Sequence, residues 1–360
     1  SRLVAGTGLA MTLVAGTLTV GSVVAPAGPA GATTSGLGRA ACAANRAAGP
    51  ITYVSPFGFD ASGGIVDVFV AQKLGFFRQM CLTVAVDAAA QDGDELVSAG
   101  RAQVTNIGGA ATLLEVVANG SNLVGVATLA DTTDEAVVTP KSVTSLRGLE
   151  GQTLGYHTAV GVAVQAMMAK ADVDMTRVDL VSTTNYTPDQ VVNGTVDGLQ
   201  VYQSNEPLTL RSQGKSFHEF TPAEFGVKGT YNVQAFNGTF LREHRQAAAD
   251  WMRADLHAVD YCIAHVAKCV AIEHAVAAAD HATTAFPLAH EEQVWRFESQ
   301  LIARHTLAGR GIGVQTTAEW APEAAQLASF GVVKDVPPLA RAEDTTLVAG
   351  LYRGQTLIWP

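Results

Sequence analysis

The sequence predicts an α/β protein with two lobes and a cleft between them. Short apolar strands alternate with helices from Ile51 to about Ala130, a polar and acidic segment follows at Asp131–Pro140, and a second series of strands and helices comes after it. Such alternation is typical of βαβ units and a largely parallel sheet. With 360 residues, 48% of them hydrophobic and 16% charged, the chain can bury a sizeable core in each lobe.

The strands and helices of each lobe follow from apolar runs bounded by turn residues. In the first lobe, strands are predicted at residues 51–54, 82–86, 103–107 and 123–129, and helices at 64–74, 94–98 and 111–119. In the second lobe, strands are predicted at 153–156, 178–181 and 198–202, and a helix at 160–170. Later helices, at 247–262, 270–279, 290–305 and 318–330, are expected to return over the first lobe. Residues 51–130 and 240–340 are therefore assigned to the first lobe and residues 131–239 to the second.

Residues 1–32 differ in composition from the rest of the chain. Leu3–Val24 carries no charge, and Ala30-Gly31-Ala32 has the small-x-small pattern of a signal-peptidase site. An uncleaved membrane anchor is the alternative, but Gly and Thr dilute the apolar stretch and two prolines follow it. We therefore interpret residues 1–32 as a signal peptide and residues 33–50 as a small-residue linker, and we expect an exported, extracytoplasmic protein.

The net charge excludes one class of partner. Lys and Arg number 23 against 33 Asp and Glu, which gives a formal charge of −10, and no run of basic residues stands out. An acidic surface repels the phosphates of DNA and RNA. We therefore expect no nucleic-acid partner.

Four cysteines indicate disulfide bonds, because oxidised pairs are natural in an exported chain. Cys42 and Cys81 each precede a strand, so neighbouring strands of one sheet could bring them together. Cys262 and Cys269 are seven residues apart, and in an unbroken helix their Cα atoms would be about 10 Å apart, too far for a disulfide. Such a bond therefore predicts a helix break near His265–Lys268. Lipidation of Cys42, and zinc held by Cys262, His265 and Cys269, are the alternatives.

Three turns share one arrangement, in which a strand ends, small residues follow and a helix begins: Pro56–Gly64, Asn106–Ala111 and Tyr156–Gly161. Open α/β sheets bind ligands at such turns, where unpaired backbone N–H groups face outward. Small residues can also serve turn geometry alone, which is the alternative. The candidate ligand-binding residues in these turns are Phe57, Phe59, Asp60, Asn106, Gly108, Tyr156 and His157.

The segment Val201–Leu208 is more specific and is called the Glu206 segment below. It follows a predicted strand, and Pro207 suits the first turn of a helix. Glu206 is then either a carboxylate that caps the helix or an acceptor for an amino group of a ligand. Tyr202 and Asn205 are further candidate ligand contacts.

Aromatic residues recur at these positions and suit a planar ligand: Phe57, Phe59, Tyr156, Tyr186 and Tyr202. Lys and Arg are absent from the three turns and from the Glu206 segment. A neutral or cationic ligand therefore fits better than an anion.

Signatures of catalysis are weak. The sequence contains no Gly-x-Ser-x-Gly elbow, no His-Glu-x-x-His motif and no P-loop. His244, His257, His265 and His274 are interpreted as surface residues of helices. We expect no catalytic residues, no bound metal and no cofactor; a secreted enzyme that uses the cleft is the alternative.

The chain resembles the solute-binding proteins of ABC importers in the nitrate, sulfonate and thiamine-pyrimidine group. The resemblance rests on Gly75-Phe76-Phe77 with Cys81-Leu82-x-Val84 after it, and on the lobe-crossing segment Leu146–Gly155. Residues 202–207 (YQSNEP) and 295–298 (WRFE) are similar to the actinobacterial members of the group. The likeness spans about Cys42 to Phe330.

The resemblance implies a periplasmic-binding-protein fold of the second type, with two lobes and a hinge, that works as a monomer. It implies capture of a small-molecule ligand, such as a thiamine-pyrimidine precursor, and its delivery to an ABC permease without chemistry. Glu206 with Phe57, Tyr156 and Tyr202 would then hold a planar, amine-bearing ring. The turn Phe57–Ser62 lacks the histidine that pyrimidine binders often carry, so binders of sulfonate, taurine or nitrate remain alternatives. A ligand sensor is another, and so is an enzyme of pyrimidine synthesis, although its cysteine-rich motif is absent here.

Overall fold

The computed structural model describes residues 36–89, 92–157, 159–183 and 187–360. The predicted signal peptide, the first residues of the predicted linker and Tyr186 lie outside the described residues. The statements that follow concern the described ranges.

Seven of the strands lie close to the apolar runs that predict them. In chain order the strands are β1 Ile51–Val54, β2 Val84–Asp87, β3 Val104–Ile107, β4 Leu123–Ala130, β5 Glu135–Pro140, β6 Thr153–Tyr156, β7 Asp179–Ser182, β8 Gly198–Tyr202, β9 Phe217–Phe220, β10 Tyr231–Asn237, β11 Tyr352–Arg353 and β12 Thr356–Leu357.

The helices fill the intervals between strands and then dominate the last third of the chain. They are α1 Arg39–Ala47, α2 Val66–Leu74, α3 Phe76–Gln79, α4 Gly93–Ser98, α5 Ala110–Ala118, α6 Val162–Lys170, α7 Asp189–Val192, α8 Glu206–Ser212, α9 Gly238–Glu243, α10 Arg245–Ala264, α11 Val266–Ala279, α12 Leu288–His305, α13 Thr317–Ser329 and α14 Leu339–Ala342. Short 3₁₀ turns occur at Leu146–Leu149, Met175–Arg177, Pro222–Phe225 and Ala349–Leu351.

Two five-stranded sheets share one topology. The first has the order β2-β1-β3-β10-β4 and the second the order β7-β6-β8-β5-β9. In each, three parallel strands are followed by one antiparallel strand, which is β10 in the first sheet and β5 in the second. Each of these two strands begins just after the chain has crossed from the other sheet. The result is a two-lobed α/β fold with two crossing segments.

Two boundaries differ from the sequence prediction. Strand β10 lies in the range assigned to the second lobe, but it pairs with β3 and β4 of the first sheet. Its sequence, YNVQAFN, contains Asn and Gln although the strand is fully buried, so no continuous apolar run predicts it. The expected linker at 33–50 contains helix α1, because its run of alanines favours a helix.

The late helices cover the first sheet on both faces, as the sequence predicts. Helices α10 and α11 pack on α2, and a buried cluster on this face includes Trp251 and Trp295. On the other face α13 packs on α5, and Trp320 is buried there. The first lobe therefore has a much larger core than the second, whose sheet carries two smaller clusters.

Both expected disulfides are present. Cys42 in α1 bonds to Cys81, and Cys262 bonds to Cys269 with 5.6 Å between their Cα atoms. The second bond requires the predicted helix break, and the chain turns by 120° between α10 and α11, at His265. The disulfides rule out lipidation of Cys42 and the Cys262–His265–Cys269 zinc site, because the thiols are already oxidised.

In the described ranges no single helix is long and apolar enough to cross a bilayer. Only α10 and α11, taken together as a bent pair, have the length and composition for it.

Candidate functional site

The two lobes meet around the predicted Glu206 segment, and two polar contacts mark the place. Ser204 donates its hydroxyl to Oδ2 of Asp134, in the crossing segment before β5, over 3.3 Å. Nε2 of His290, in α12 of the first lobe, lies 2.8 Å from Oδ1 of Asn205 in the second lobe. We call this region the junction.

The backbone donors of the turn Pro56–Gly64, called the first turn below, are used by the protein itself. The N–H of Ala61 donates to Oε2 of Glu291 over 3.1 Å, and the N–H of Gly63 donates to Oε2 of Glu298 over 2.8 Å. The N–H of Gly64 donates to Oδ1 of Asp67 over 2.7 Å. These three N–H groups therefore do not face a ligand, which corrects the prediction for this part of the turn.

The second predicted turn, before α5, is also capped by a carboxylate. The N–H of Ala111 donates to Oε1 of Glu323 over 3.3 Å, while the N–H of Ala110 donates to the hydroxyl of Thr230 over 2.7 Å. That hydroxyl in turn donates to Oε2 of Glu323 over 2.7 Å. The positive end of this helix is thus neutralised from within the chain.

The third predicted turn, before α6, repeats the pattern. The N–H of Gly161 donates to Oε1 of Gln200 over 2.9 Å, and the carboxylate of Glu135 accepts from the N–H of Ala163. A Cβ at Gly161 would collide with Oε1 of Glu135, so a larger residue here would move this carboxyl group away from the start of α6. All three helix amino ends that the sequence predicts as ligand-binding turns are therefore occupied by acidic side chains.

Three of the ten predicted ligand residues come together at the junction. Asp60 belongs to the first turn, Asn205 bonds to His290, and Glu206 is only 3% exposed at the start of α8. Burial and the charges of Glu298 and Glu291 raise the pKa of Asp60, and the charge of Glu206 adds to this shift.

The predicted aromatic residues divide into buried and exposed ones. Phe59 stacks on Phe69 with 4.8 Å between ring centroids, inside a core cluster, so it serves packing and we leave it out of the site. Phe57 and Tyr202 are 56% and 41% exposed.

The remaining predicted residues lie at strand ends within a single lobe. Asn106 is buried on β3, and the carbonyl of Gly108 accepts from the N–H of Asn232 over 2.9 Å. In the second lobe the carbonyl of Tyr156 accepts from the N–H of Thr183 over 2.7 Å, and Nδ1 of His157 lies 3.2 Å from the hydroxyl of Thr183. These contacts support the framework of each lobe.

The junction concentrates acidic groups, and burial raises the pKa of each. Burial raises the pKa of Asp60 well above its usual value, and the charges of Glu298, Glu291 and Glu206 raise it further. Burial also raises the pKa of Glu206 to about 7, although the N–H of Tyr202 donates to its Oε2 over 3.0 Å and favours the charged form. Burial and the charge of Glu298 likewise raise the pKa of Asp134. We call Asp60, Asp134, Glu206 and Glu298 the junction carboxyls.

The first-lobe side of this site was missed by the sequence reasoning, although one pattern pointed to it. Glu291, Trp295 and Glu298 are spaced four and three residues apart in α12, so they share one face of the helix. Trp295 is fully buried, which places both glutamates beside the core. Tyr231 was missed as well; its hydroxyl lies 3.2 Å from that of Ser62 in the first turn.

The described residues provide no metal site: no group of three or more His, Cys, Asp or Glu side chains among them is arranged to hold an ion. The donors of the junction are carboxyl and hydroxyl oxygens with one imidazole. Such a set accepts hydrogen bonds from N–H groups.

Comparison with known proteins identifies the family of the chain. A family model described as NMT1/THI5 like matches residues 64–268, which is more than half of the chain. No curated protein matches the chain in a sequence comparison.

Solved structures share the fold at low sequence identity. The ligand-binding component of an ABC-type import system from Staphylococcus aureus, with zinc bound, aligns with a TM-score of 0.59 and 11% identity over 83% of this chain and 97% of that chain. The alkanesulfonate-binding protein SsuA from Xanthomonas axonopodis pv. citri, bound to MOPS, aligns with a TM-score of 0.57 and 13% identity over 82% and 97%. DSZB in complex with biphenyl-2-sulfinic acid aligns with a TM-score of 0.57 and 10% identity over 84% and 98%. The predicted periplasmic-binding-protein fold with two lobes is thereby confirmed.

Proposed function

Because the chain belongs to the NMT1/THI5-like family, we propose that it is an exported solute-binding protein that captures a small nutrient between its lobes and delivers it to an ABC permease. Two observations support this role. The similar structures include a component of an ABC-type import system and an alkanesulfonate-binding protein. The two crossing segments let the lobes move as units about a ligand held between them.

We propose that the ligand is amine-bearing and not an anion. The observation that carries this proposal is the filling of all three helix amino ends by Glu291 with Glu298, by Glu323 and by Glu135. A sulfonate, taurine or nitrate held by helix dipoles would have to displace these carboxyl groups from the N–H donors that they already occupy. A planar aminopyrimidine, such as a thiamine precursor, stacks its ring on the aromatic residues and donates from its amino group to the carboxyl acceptors.

We include Asp60, Asn205 and Glu206 in the site, with Phe57, Tyr156 and Tyr202 as the flat walls that close on the ring. Asn106, Gly108 and His157 stay candidate contacts, since each lies at a strand end that borders the cleft between such lobes. Membership of the actinobacterial branch, action as a monomer and the absence of a nucleic-acid partner are part of the same proposal.

An enzyme is the second candidate, because DSZB, described as a desulfurization enzyme, shares the fold. In the described part of the present chain both cysteine pairs form disulfides, so no thiol is free to act as a nucleophile. Asp60 and Glu206 are carboxyl groups with raised pKa values, which suit proton transfer but do not by themselves supply a nucleophile. The binding role therefore explains more of the site.

A thermal-shift screen tests the proposal. The purified chain is heated with an aminopyrimidine thiamine precursor, taurine, ethanesulfonate and nitrate, and positives are titrated by calorimetry. A ligand that binds only the folded state raises the melting temperature in proportion to the logarithm of its concentration over Kd. We expect the aminopyrimidine to stabilise the protein and to be recovered unchanged by mass spectrometry. Turnover of the compound would support the enzyme, and stabilisation by taurine or ethanesulfonate alone would contradict the proposed ligand class.

A further inference from the structure

A second hollow lies at the far end of the second lobe, away from the junction. Strand β5 begins near the junction at Glu135 and ends at Pro140, where it pairs with Phe217 at the start of β9. A strand of six residues is about 17 Å long. Helix α8 likewise leads the chain from Glu206 at the junction to the loop before β9. The hollow between these distal loops is therefore separate from the cleft between the lobes.

Basic side chains line this distal hollow. Its volume is about 440 Å³, which lies in the range of small-molecule sites. Three of the 23 Lys and Arg residues of the chain line it against one acid of the described residues, Glu219, although acids outnumber Lys and Arg in the whole sequence. Its basic and hydroxyl-bearing residues are Lys141, Arg211, Lys215, Ser216 and His218. The hollow is thus a positive region on an acidic protein.

Two contacts orient the guanidinium of Arg211 at this hollow. Its Nη2 donates to Oε2 of Glu219 in an ion pair, and its central carbon lies 5.4 Å from the ring centroid of Phe217. A guanidinium has five N–H donors in a rigid fork, so donors remain for a further acceptor. Glu219 compensates one positive charge of the hollow and leaves the lysines uncompensated.

Lys141 and Lys215 supply this uncompensated charge. Among the described residues neither ammonium group takes part in an ion pair. The backbone at Lys215 is fixed, because its N–H donates to the carbonyl of Leu210 and the N–H of Gly214 donates to the carbonyl of Arg211, each over 3.0 Å. These bonds also occupy carbonyls at the negative end of α8.

Protection of the sheet edge does not account for these lysines. Strand β9 is an edge strand of the second sheet, and charged side chains on such a strand discourage pairing with other chains. Lys141 follows β5 and Lys215 precedes β9, so both lie in the flanking loops and not on the edge strand itself. Their place beside Arg211 in one hollow is what the binding of an anion requires.

We propose that the distal hollow is a second binding site, which takes a phosphate group carried on a small polar body. Two uncompensated ammonium groups match the charge of about −1.5 to −2 of a phosphate monoester at pH 7. The remaining N–H donors of Arg211 complement its oxygens. A glycerol phosphate has this chemistry, either free in solution or as the head group of an anionic phospholipid. The site does not depend on which solute binds between the lobes.

Calorimetry and vesicle sedimentation test the site and the source of its ligand. The purified chain is titrated with glycerol 3-phosphate, with glycerol as the uncharged control, and is sedimented with vesicles of phosphatidylcholine alone or mixed with phosphatidylglycerol. We expect binding of the phosphate probe or of the anionic vesicles that weakens as salt is raised. Binding of glycerol 3-phosphate identifies a soluble phosphate ester, and binding of anionic vesicles alone identifies the lipid. Binding of neither would overturn the inference.

Variants then locate the site. Lys141→Ala combined with Lys215→Ala should weaken binding at least tenfold. Lys170→Ala combined with Lys228→Ala removes the same charge from exposed positions outside the hollow and should retain affinity. Equal loss in both double variants, retained binding in the first, or binding of an acidic peptide in place of the phosphate probe would overturn the assignment. Circular dichroism checks each fold, and Lys141→Ala alone keeps the test valid if the first double variant does not fold.

Discussion

The first turn and the Glu206 segment face each other across the junction, but they are built differently. The first turn is held by Glu291 and Glu298 from α12, a helix more than 200 residues away in the chain, and rests on a core with two buried tryptophans. The Glu206 segment is held by a local bond, in which Glu206 accepts from Tyr202, and by bonds of Gln203 and Ser204 to Asp134 in the crossing segment. The first turn therefore depends on a late helix with a large core behind it, whereas the Glu206 segment depends on itself and on the adjacent crossing segment.

This contrast has a functional reason. A wall that is fixed by distant glutamates keeps Asp60 in place although its carboxyl has no partner. The Glu206 segment can move toward or away from the first turn as a unit, because this motion does not break a large core. The first lobe then positions the ligand and the second lobe closes on it.

Removing the support of the first turn should have the largest effect. We expect Glu298→Ala to lower the free energy of unfolding by about 3 kcal/mol, because the buried N–H of Gly63 keeps only its 3.3 Å bond to the hydroxyl of Tyr231 and a cavity remains. Urea titration followed by circular dichroism measures the change. Arg296→Ala, an exposed position on the same helix, is the control and should change it little. A loss as small as that of the control would show that the turn does not depend on α12.

The pH dependence of the ligand-free protein comes next in size. Burial raises the pKa of Glu206 and Glu291 to about 7 and that of Glu323 to about 8. The folded state therefore binds more protons than the unfolded state above pH 6.5, so the free energy of unfolding falls as pH rises. Each group contributes up to about 1.4 kcal/mol per pH unit, and we expect a fall of at least about 2 kcal/mol from pH 6.5 to 8.

Urea titrations at the two pH values check this expectation. The histidines whose pKa is lowered by burial act in the opposite direction, but mainly below pH 6.5, where the unfolded histidines become charged. Stability that is equal or higher at pH 8 would mean that the carboxyl groups are compensated in the folded protein, against the account given for the junction.

The direct contact between the two walls should have the smallest effect. The hydrogen bond between His290 and Asn205 should couple the two side chains by about 1 kcal/mol in a double-mutant cycle of His290→Ala and Asn205→Ala. Thermal or urea unfolding of the four proteins gives the coupling energy. A coupling of zero would show that the lobes of the ligand-free protein do not meet at this point in solution.

The Glu206 segment could be predicted from sequence, but the residues that hold the first turn could not. Strands β1, β6 and β8 begin and end where their apolar runs do, and the Glu206 segment follows β8 directly. Glu291 and Glu298 are distant in sequence from the turn they hold, so no local pattern links them to it. Strand β10 was not predicted for a related reason. The side chains of its polar residues Asn232 and Gln234 donate to the carbonyls of Gly63 and Gly64, over 2.6 and 3.2 Å.

The helix amino ends show where a correct fold prediction led to an incomplete site. Strand–turn–helix geometry was predicted in the right places, and it does expose backbone N–H groups at the ends of strands. The groups that accept from these N–H groups are side chains such as Glu323 and Thr230, which lie far from the helix amino end in the sequence. Periodicity identifies the donors of a fold, but it does not identify their acceptors.

The most direct test of the central claim, that Asp60 belongs to the ligand site and not to the framework of the fold, is the thermal unfolding of ligand-free Asp60→Asn at pH 8. Burial and the charges of Glu298, Glu291 and Glu206 disfavour the ionised form of Asp60, and a neutral side chain removes this cost. We predict a higher melting temperature than that of the parent protein, while affinity for the amine-bearing ligand falls. A lower melting temperature would contradict the account, because it would show that the carboxylate of Asp60 already has a partner that stabilises the fold.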